Sequence, residues 1–149
     1  MAMPNDIVFV RHGQSEANII QRFDKTGDTR HTHEQAIHSR PDWQQRLSQM
    51  GIEQAKVAKD WIDANLGGVD SFDGRYVSPF LRTRETAAYI GGLETDDWTI
   101  DDRIVERSWG VYGTVPKAEQ RSQFPLTVHL HKTTPWYVRF DGGESMPDV

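Results

Sequence analysis

The sequence predicts an α/β fold. A short apolar run followed by a polar turn and a helix occurs twice, at residues 7–20 and 75–90, and between them lies an amphipathic helix whose single apolar stripe suits covering a sheet face. At 149 residues the chain should bury roughly 70% of the surface its unfolded form exposes, enough for one core without staples. It has no cysteine from which to make them. No repeat, low-complexity tract or linker divides it, so residues 1–149 read as one domain.

The elements follow in order. Ile7-Val8-Phe9-Val10 is β-branched and aromatic and too short for a helix, which predicts a strand buried on both faces. It ends at Arg11-His12-Gly13, and Ser15 can cap a helix running through Ala17, Asn18, Ile19 and Ile20. Residues 24–46 are polar and hold His31, His33 and His38, reading as a long surface excursion, either a lid or a loop. Ser48 opens a helix with Ile52, Ala55, Ala58 or Lys59, Ile62 and Leu66 on one stripe and Gly67-Gly68 as its stop. Arg75-Tyr76-Val77 is a second strand broken at Ser78-Pro79, and Leu81 to Ile90 a helix stopped by Gly91-Gly92. Trp98 to Ile100 is a candidate third strand and Pro116 to Gln123 a short helix, whereas residues 126–140 admit either helix or strand.

Composition excludes several classes. Seventeen Lys plus Arg against 22 Asp plus Glu give a net charge of -5, so a global basic surface for nucleic acid is ruled out. No run approaches the ~20 apolar residues of a membrane span, and no basic-then-apolar leader opens the chain, so the expected setting is cytoplasmic. Absence of cysteine removes thiolate catalysis and Cys-ligated zinc.

Four features carry chemistry. In Arg11-His12-Gly13 a histidine sits at a strand end beside a guanidinium, with a glycine that lets backbone approach a ligand. An imidazole there can attack phosphorus while Arg11 holds phosphoryl oxygens, and the helix opening at Ser15 offers N–H groups to the same anion. A histidine that merely bonds a loop carbonyl fits the same residues. Ser78 to Ala87 again follows a strand and enters a helix, placing Arg82 near the same sheet edge; the plainer reading makes Arg82 and Arg84 a solvated face with Glu85. Glu106-Arg107-Ser108-Trp109-Gly110 puts a carboxyl beside an aromatic, where burial can make it a proton donor, although alone it also reads as a surface glutamate. Gly142-Gly143-Glu144-Ser145 places two glycines before a capping pair, or forms an ordinary loop.

The order and wording of these features resemble the histidine phosphatase superfamily, the phosphoglycerate mutase-like proteins. Val10 to Asn18 resembles its first signature, with Gln14 where Glu is more usual; Leu47 to Ala55 resembles its Leu-Thr-x-x-Gly-x-x-Gln-Ala helix entrance, Ser78 to Ala87 its arginine-bearing turn, Glu106-Arg107 its acid-bearing loop, and Gly142 to Ser145 with Asp148 its next landmark. The resemblance implies a three-layer sandwich with a mostly parallel central sheet flanked by helices. It implies a phosphomonoesterase in which His12 becomes phosphohistidine, Arg11 and Arg82 clamp the phosphoryl group, and Glu106 protonates the leaving oxygen and then activates water. Gly13, Ser15 and Asn18 match positions lining the phosphate and substrate pocket, although Asn18 can equally cap its own helix. The implied substrate is a phosphorylated small molecule, with no cofactor and no metal.

One departure is that the family's second pocket histidine, in a His-Gly beyond the Gly-Glu-Ser landmark, has no counterpart before Val149. His129 and His131 precede that landmark and do not take the role. The chain therefore reads as a fragment lacking a C-terminal part, weak or inactive as a catalyst, with an open sheet flank prone to recruit another chain, a homo-oligomer being one outcome. His31, His33 and His38 lack a cysteine or firmly placed carboxylate to complete a metal set, so no metal site is assigned. Ala17 stands where glycolytic mutases carry Trp, and Arg22-Phe23 leads into Asp24-Lys25-Thr26-Gly27 rather than Thr-Gly-Trp; this ranks phosphatase above phosphomutase. A noncatalytic phospholigand-binding module is the alternative from another class.

Overall fold

The computed structural model describes residues 6–26, 40–92, 98–115 and 117–149. The histidines at 31, 33 and 38 lie outside them. Among the described residues the helices and strands follow in order: α1 (Glu16–Thr26), α2 (Gln49–Leu66), β1 (Tyr76–Val77), α3 (Leu81–Gly91), β2 (Thr99–Ile100), α4 (Gly110–Thr114), α5 (Lys117–Gln123) and α6 (Pro125–Thr133). Short 3-10 turns lie at Asp42–Gln44, Val69–Ser71, Asp102–Ile104 and Met146–Asp148. β1 and β2 pair in parallel, Tyr76 opposite Thr99 and Val77 opposite Ile100, with α3 in the crossover between them. The expected α/β class is therefore present. The undecided stretch after Leu126 is helical as far as Thr133.

α2 forms where local signals agree. The Ser48 side chain accepts from the Gly51 N–H at its start, and Gly67 ends it in the left-handed region at φ 79°, a conformation glycine adopts without a Cβ penalty. Its Ala55 and Ile62 are buried, and it packs most extensively against α3, which contributes Ala87 and Ile90. Val77 from β1 joins this core. A second cluster lies toward the C-terminus. There Phe140, 1% exposed, stacks on Tyr112 at 4.6 Å between ring centroids and approaches Trp109 at 5.0 Å.

The first predicted strand is the main correction. Residues 7–10 form no ladder, and Ile7, Val8, Phe9 and Val10 are all exposed, Phe9 at 91%. An apolar run shows what a segment can bury, but burial needs a covering neighbour; among the described residues β1 pairs only with β2.

Candidate active site

The Arg-His-Gly turn is held by its backbone. Ser15 bridges antiparallel to Leu47, the Glu16 N–H donates to the Arg46 carbonyl at 2.9 Å, and the Ser48 N–H donates to the Gln14 carbonyl at 2.9 Å. Gly13 and Gly51 meet here with no room for side chains. A Cβ on Gly13 would lie 2.3 Å from the Gly51 carbonyl oxygen, and one on Gly51 would lie 2.1 Å from that of Gln14. The close approach that Gly13 permits is thus to the start of α2.

The amides expected to face an anion are engaged within the protein. The Gly13 N–H donates to Thr86 Oγ1 at 3.3 Å, that of Gln14 to Gln54 Oε1 at 2.8 Å, and that of Ser15 to Asn18 Oδ1 at 3.0 Å. The Asn18 N–H returns a bond to Ser15 Oγ at 3.3 Å. Ser15 and Asn18 therefore cap α1 reciprocally, the local role that Asn18 had as its alternative. Thr86 also donates to the Arg82 carbonyl at 2.8 Å, tying α3 to the turn.

Arg11, His12, Arg82 and Glu106 line one cavity of about 390 Å³, together with Ser78, Phe80 and Val105. Residues 70 positions apart thus come together because the turn after residue 10 and the turn after β1 open on the same side. A smaller adjoining cavity, about 210 Å³, lies between Arg11, His12, Gly13 and α2.

His12 Nδ1 lies 2.7 Å from the Gly13 carbonyl oxygen, which can only accept, so Nδ1 carries the ring proton. Nε2 then presents its lone pair, which accepts from Arg82 Nε at 3.3 Å. Bonding a loop carbonyl and acting as a nucleophile are thus compatible, each using a different nitrogen. Burial lowers the His12 pKa below its ordinary 6.5, and nearby Arg82 and Arg11 lower it further, against opposing effects of the Gly13 carbonyl and Glu106. A lowered pKa favours the neutral ring, in which Nε2 keeps its lone pair.

Arg82 is 2% exposed, which excludes the solvated-face reading; Arg84 is the exposed member of that pair. Glu85 instead accepts from Arg46 Nε at 2.6 Å and the Leu47 N–H at 2.7 Å. Arg82 Nη2 donates to Glu106 Oε2 at 2.9 Å, and the guanidinium carbon lies 4.7 Å from the Phe80 ring centroid. The burial expected of Glu106 beside Trp109 does not occur: its side chain is 58% exposed, and Arg107 covers the indole instead, at 4.3 Å. The reason is direction, since Glu106 turns toward Arg82 and the next residue toward the aromatic cluster. Its loop is fixed by the Gly-Gly-Glu-Ser segment, where the Ser108 N–H donates to Glu144 Oε2 at 2.7 Å and the Glu144 N–H to the Ser108 carbonyl at 2.9 Å. Ser145 and Asp148 then form a capping box.

Asp42 was not foreseen. It sits in the excursion read as surface loop, yet both its carboxylate oxygens meet Arg82 at 3.1 Å. An acidic residue in a polar stretch carries no sequence signal of such a pairing.

A curated phosphoserine phosphatase 1 from Hydrogenobacter thermophilus is 28% identical over 143 residues, covering 96% of this chain and 58% of that protein. The crystal structure of the alpha-ribazole phosphatase from Shigella flexneri superposes with a TM-score of 0.66 at 17% identity, covering 93% of this chain and 58% of that one. The chain thus spans under two thirds of each relative's length. The family model of the histidine phosphatase superfamily (branch 1) matches residues 7–149, and the chain belongs to that superfamily.

Proposed function

We propose that this chain carries the catalytic machinery of a phosphomonoester hydrolase that works through a phosphohistidine on His12. The observation that supports it most is the Nδ1–H of His12 turned onto the Gly13 carbonyl, which leaves the Nε2 lone pair beside Arg82 in the cavity that Glu106 also lines. Nε2 attacks phosphorus and forms the N–P bond as the P–O bond to the alcohol breaks. Glu106 gives its proton to the departing oxygen. The Gly13 carbonyl stabilises the positive charge the ring then carries. Water next attacks phosphorus, the N–P electrons return to His12, and the Glu106 carboxylate takes a proton from that water. Arg82 and Arg11 hold the equatorial oxygens throughout, supplying the charge stabilisation that phosphoryl transfer needs, so no metal is required by this scheme.

Gly13, Ser15 and Asn18, expected against substrate, support this site by holding the turn that presents His12. The substrate class is a small phosphorylated molecule, as the names of the two relatives also suggest. Ala17 and the 22–27 spacing favour hydrolysis over phosphomutase activity. A cytoplasmic setting accords with the absence, among the described residues, of a helix long and apolar enough to cross a membrane. The exposed 7–10 run gives a homo-oligomer a surface to use.

The test is p-nitrophenyl phosphate turnover, however slow, measured with EDTA present. The proposal requires activity that persists with the chelator and disappears in His12→Ala. Activity retained in His12→Ala, or lost with EDTA, contradicts it.

A further inference from the structure

Arg82 has five N–H groups, and each has an acceptor within the protein. Nε donates to His12 Nε2 at 3.3 Å. Nη1 donates to the Asp42 carbonyl at 2.8 Å and to Asp42 Oδ1 at 3.1 Å. Nη2 donates to Asp42 Oδ2 at 3.1 Å and to Glu106 Oε2 at 2.9 Å. No N–H of this buried guanidinium remains for a phosphoryl oxygen, so an incoming phosphate must displace something. Asp42 holds three of the five places, and its carboxylate lies across the guanidinium as a fork, the two-oxygen geometry that a phosphoryl group also uses.

We propose that Asp42 is an internal competitor of the substrate: its carboxylate occupies the phosphoryl-oxygen positions on Arg82 and must leave them when a phosphorylated ligand enters. This rests on the reading of Arg82 as a phosphate clamp. Asp42 is the partner suited to leave, because its side chain is 58% exposed and can rehydrate when displaced. It is also placed rather than loose. The turn is tied back by Gln45, whose Nε2 donates to the Arg40 carbonyl at 3.1 Å, and by the Arg40 to Glu16 ion pair at 2.8 Å. Asp42 therefore neutralises this cation, and affinity for small anions is set by the difference between the two competing occupants. Asp42 is a positioning residue in this account, since it acts on Arg82 and leaves the site before chemistry.

Calorimetric titration of inorganic phosphate into the wild-type chain, Asp42→Asn and Asp42→Ser tests this. Asn removes the charge and keeps the shape, whereas Ser is too short to span the fork. Both should bind phosphate about two- to fivefold more tightly, the range for an ion pair whose carboxylate is solvent-screened. The gain should reappear in KM for p-nitrophenyl phosphate. Equal or weaker phosphate binding in both variants overturns the proposal while leaving the clamp in place. Phosphate binding that survives Arg82→Ala, or that none of the proteins shows, overturns the proposal together with the reading it rests on.

Discussion

Replacing Gly13 by alanine tests how the His12 turn is built. The new Cβ would lie 2.3 Å from the Gly51 carbonyl oxygen and 2.8 Å from both the Gly51 carbonyl carbon and its Cα, all of them backbone atoms at the start of α2. No rotamer change relieves such a contact, so either the turn or the first turn of α2 must move. Overpacking in a close-packed interior costs 1–3 kcal/mol, and with backbone on both sides the cost falls at the upper end, about 3 kcal/mol. At roughly 2–4 °C per kcal/mol for a domain of this size, the thermal midpoint should fall by about 6–12 °C. The control is Gly142→Ala. Gly142 sits at φ 66° with nothing within 4 Å of a new Cβ, so only torsional strain of about 1 kcal/mol opposes that change. Thermal unfolding by circular dichroism on the three proteins gives both numbers. A midpoint for Gly13→Ala at or above that of Gly142→Ala would refute the claim that close backbone approach, rather than access for a ligand, demands the glycine.

Because burial and two guanidinium groups lower the His12 pKa, the acid limb of kcat/KM against pH should lie below 6.5, and a limb above it would contradict the neutral-ring assignment. The same shift has a stability sign: the unfolded chain takes the proton more readily, so the His12 contribution is full above 6.5 and is lost as pH falls through the window below it, a slope that His12→Ala should reduce in urea melts at stepped pH. Glu106→Gln should slow alkyl phosphates by about 10²- to 10⁴-fold but p-nitrophenyl phosphate much less, since p-nitrophenolate leaves without a proton; equal losses on both would remove the acid role. Phe9→Ser should leave the free energy of unfolding within about 0.5 kcal/mol of the wild type, as for an exposed side chain, and reduce self-association in sedimentation; a large stability loss would restore the buried strand.

Helices whose start and stop are local chemistry were legible in the sequence. Ser48 caps α2 and Gly67 ends it, and both act on backbone groups within a few residues, so no tertiary knowledge was needed. Arg82 was harder, because a guanidinium at the start of a helix is usually solvated. What distinguishes it is burial against Phe80 and Asp42, contacts supplied by other parts of the fold. The 7–10 run shows the reverse limit: its hydrophobic content is plain, but its exposure depends on which chain segments lie beside it. Glu106 was found through its neighbourhood in sequence, yet the aromatic that suggested burial is covered by Arg107, since adjacent side chains point in different directions. Asp42 was invisible because its meaning lies in a pairing across 40 residues.

The central claim is that His12 Nε2 is the atom that takes the phosphoryl group. Rapid mixing of the chain with p-nitrophenyl phosphate, alkaline quench to preserve the acid-labile N–P bond, and peptide mass spectrometry test it most directly. The account predicts a phosphoryl adduct on the peptide carrying His12, absent from His12→Ala and lost to hydrolysis on dilution into substrate-free buffer before the quench. An adduct on another residue, or turnover with no adduct on His12 at any mixing time, would contradict it.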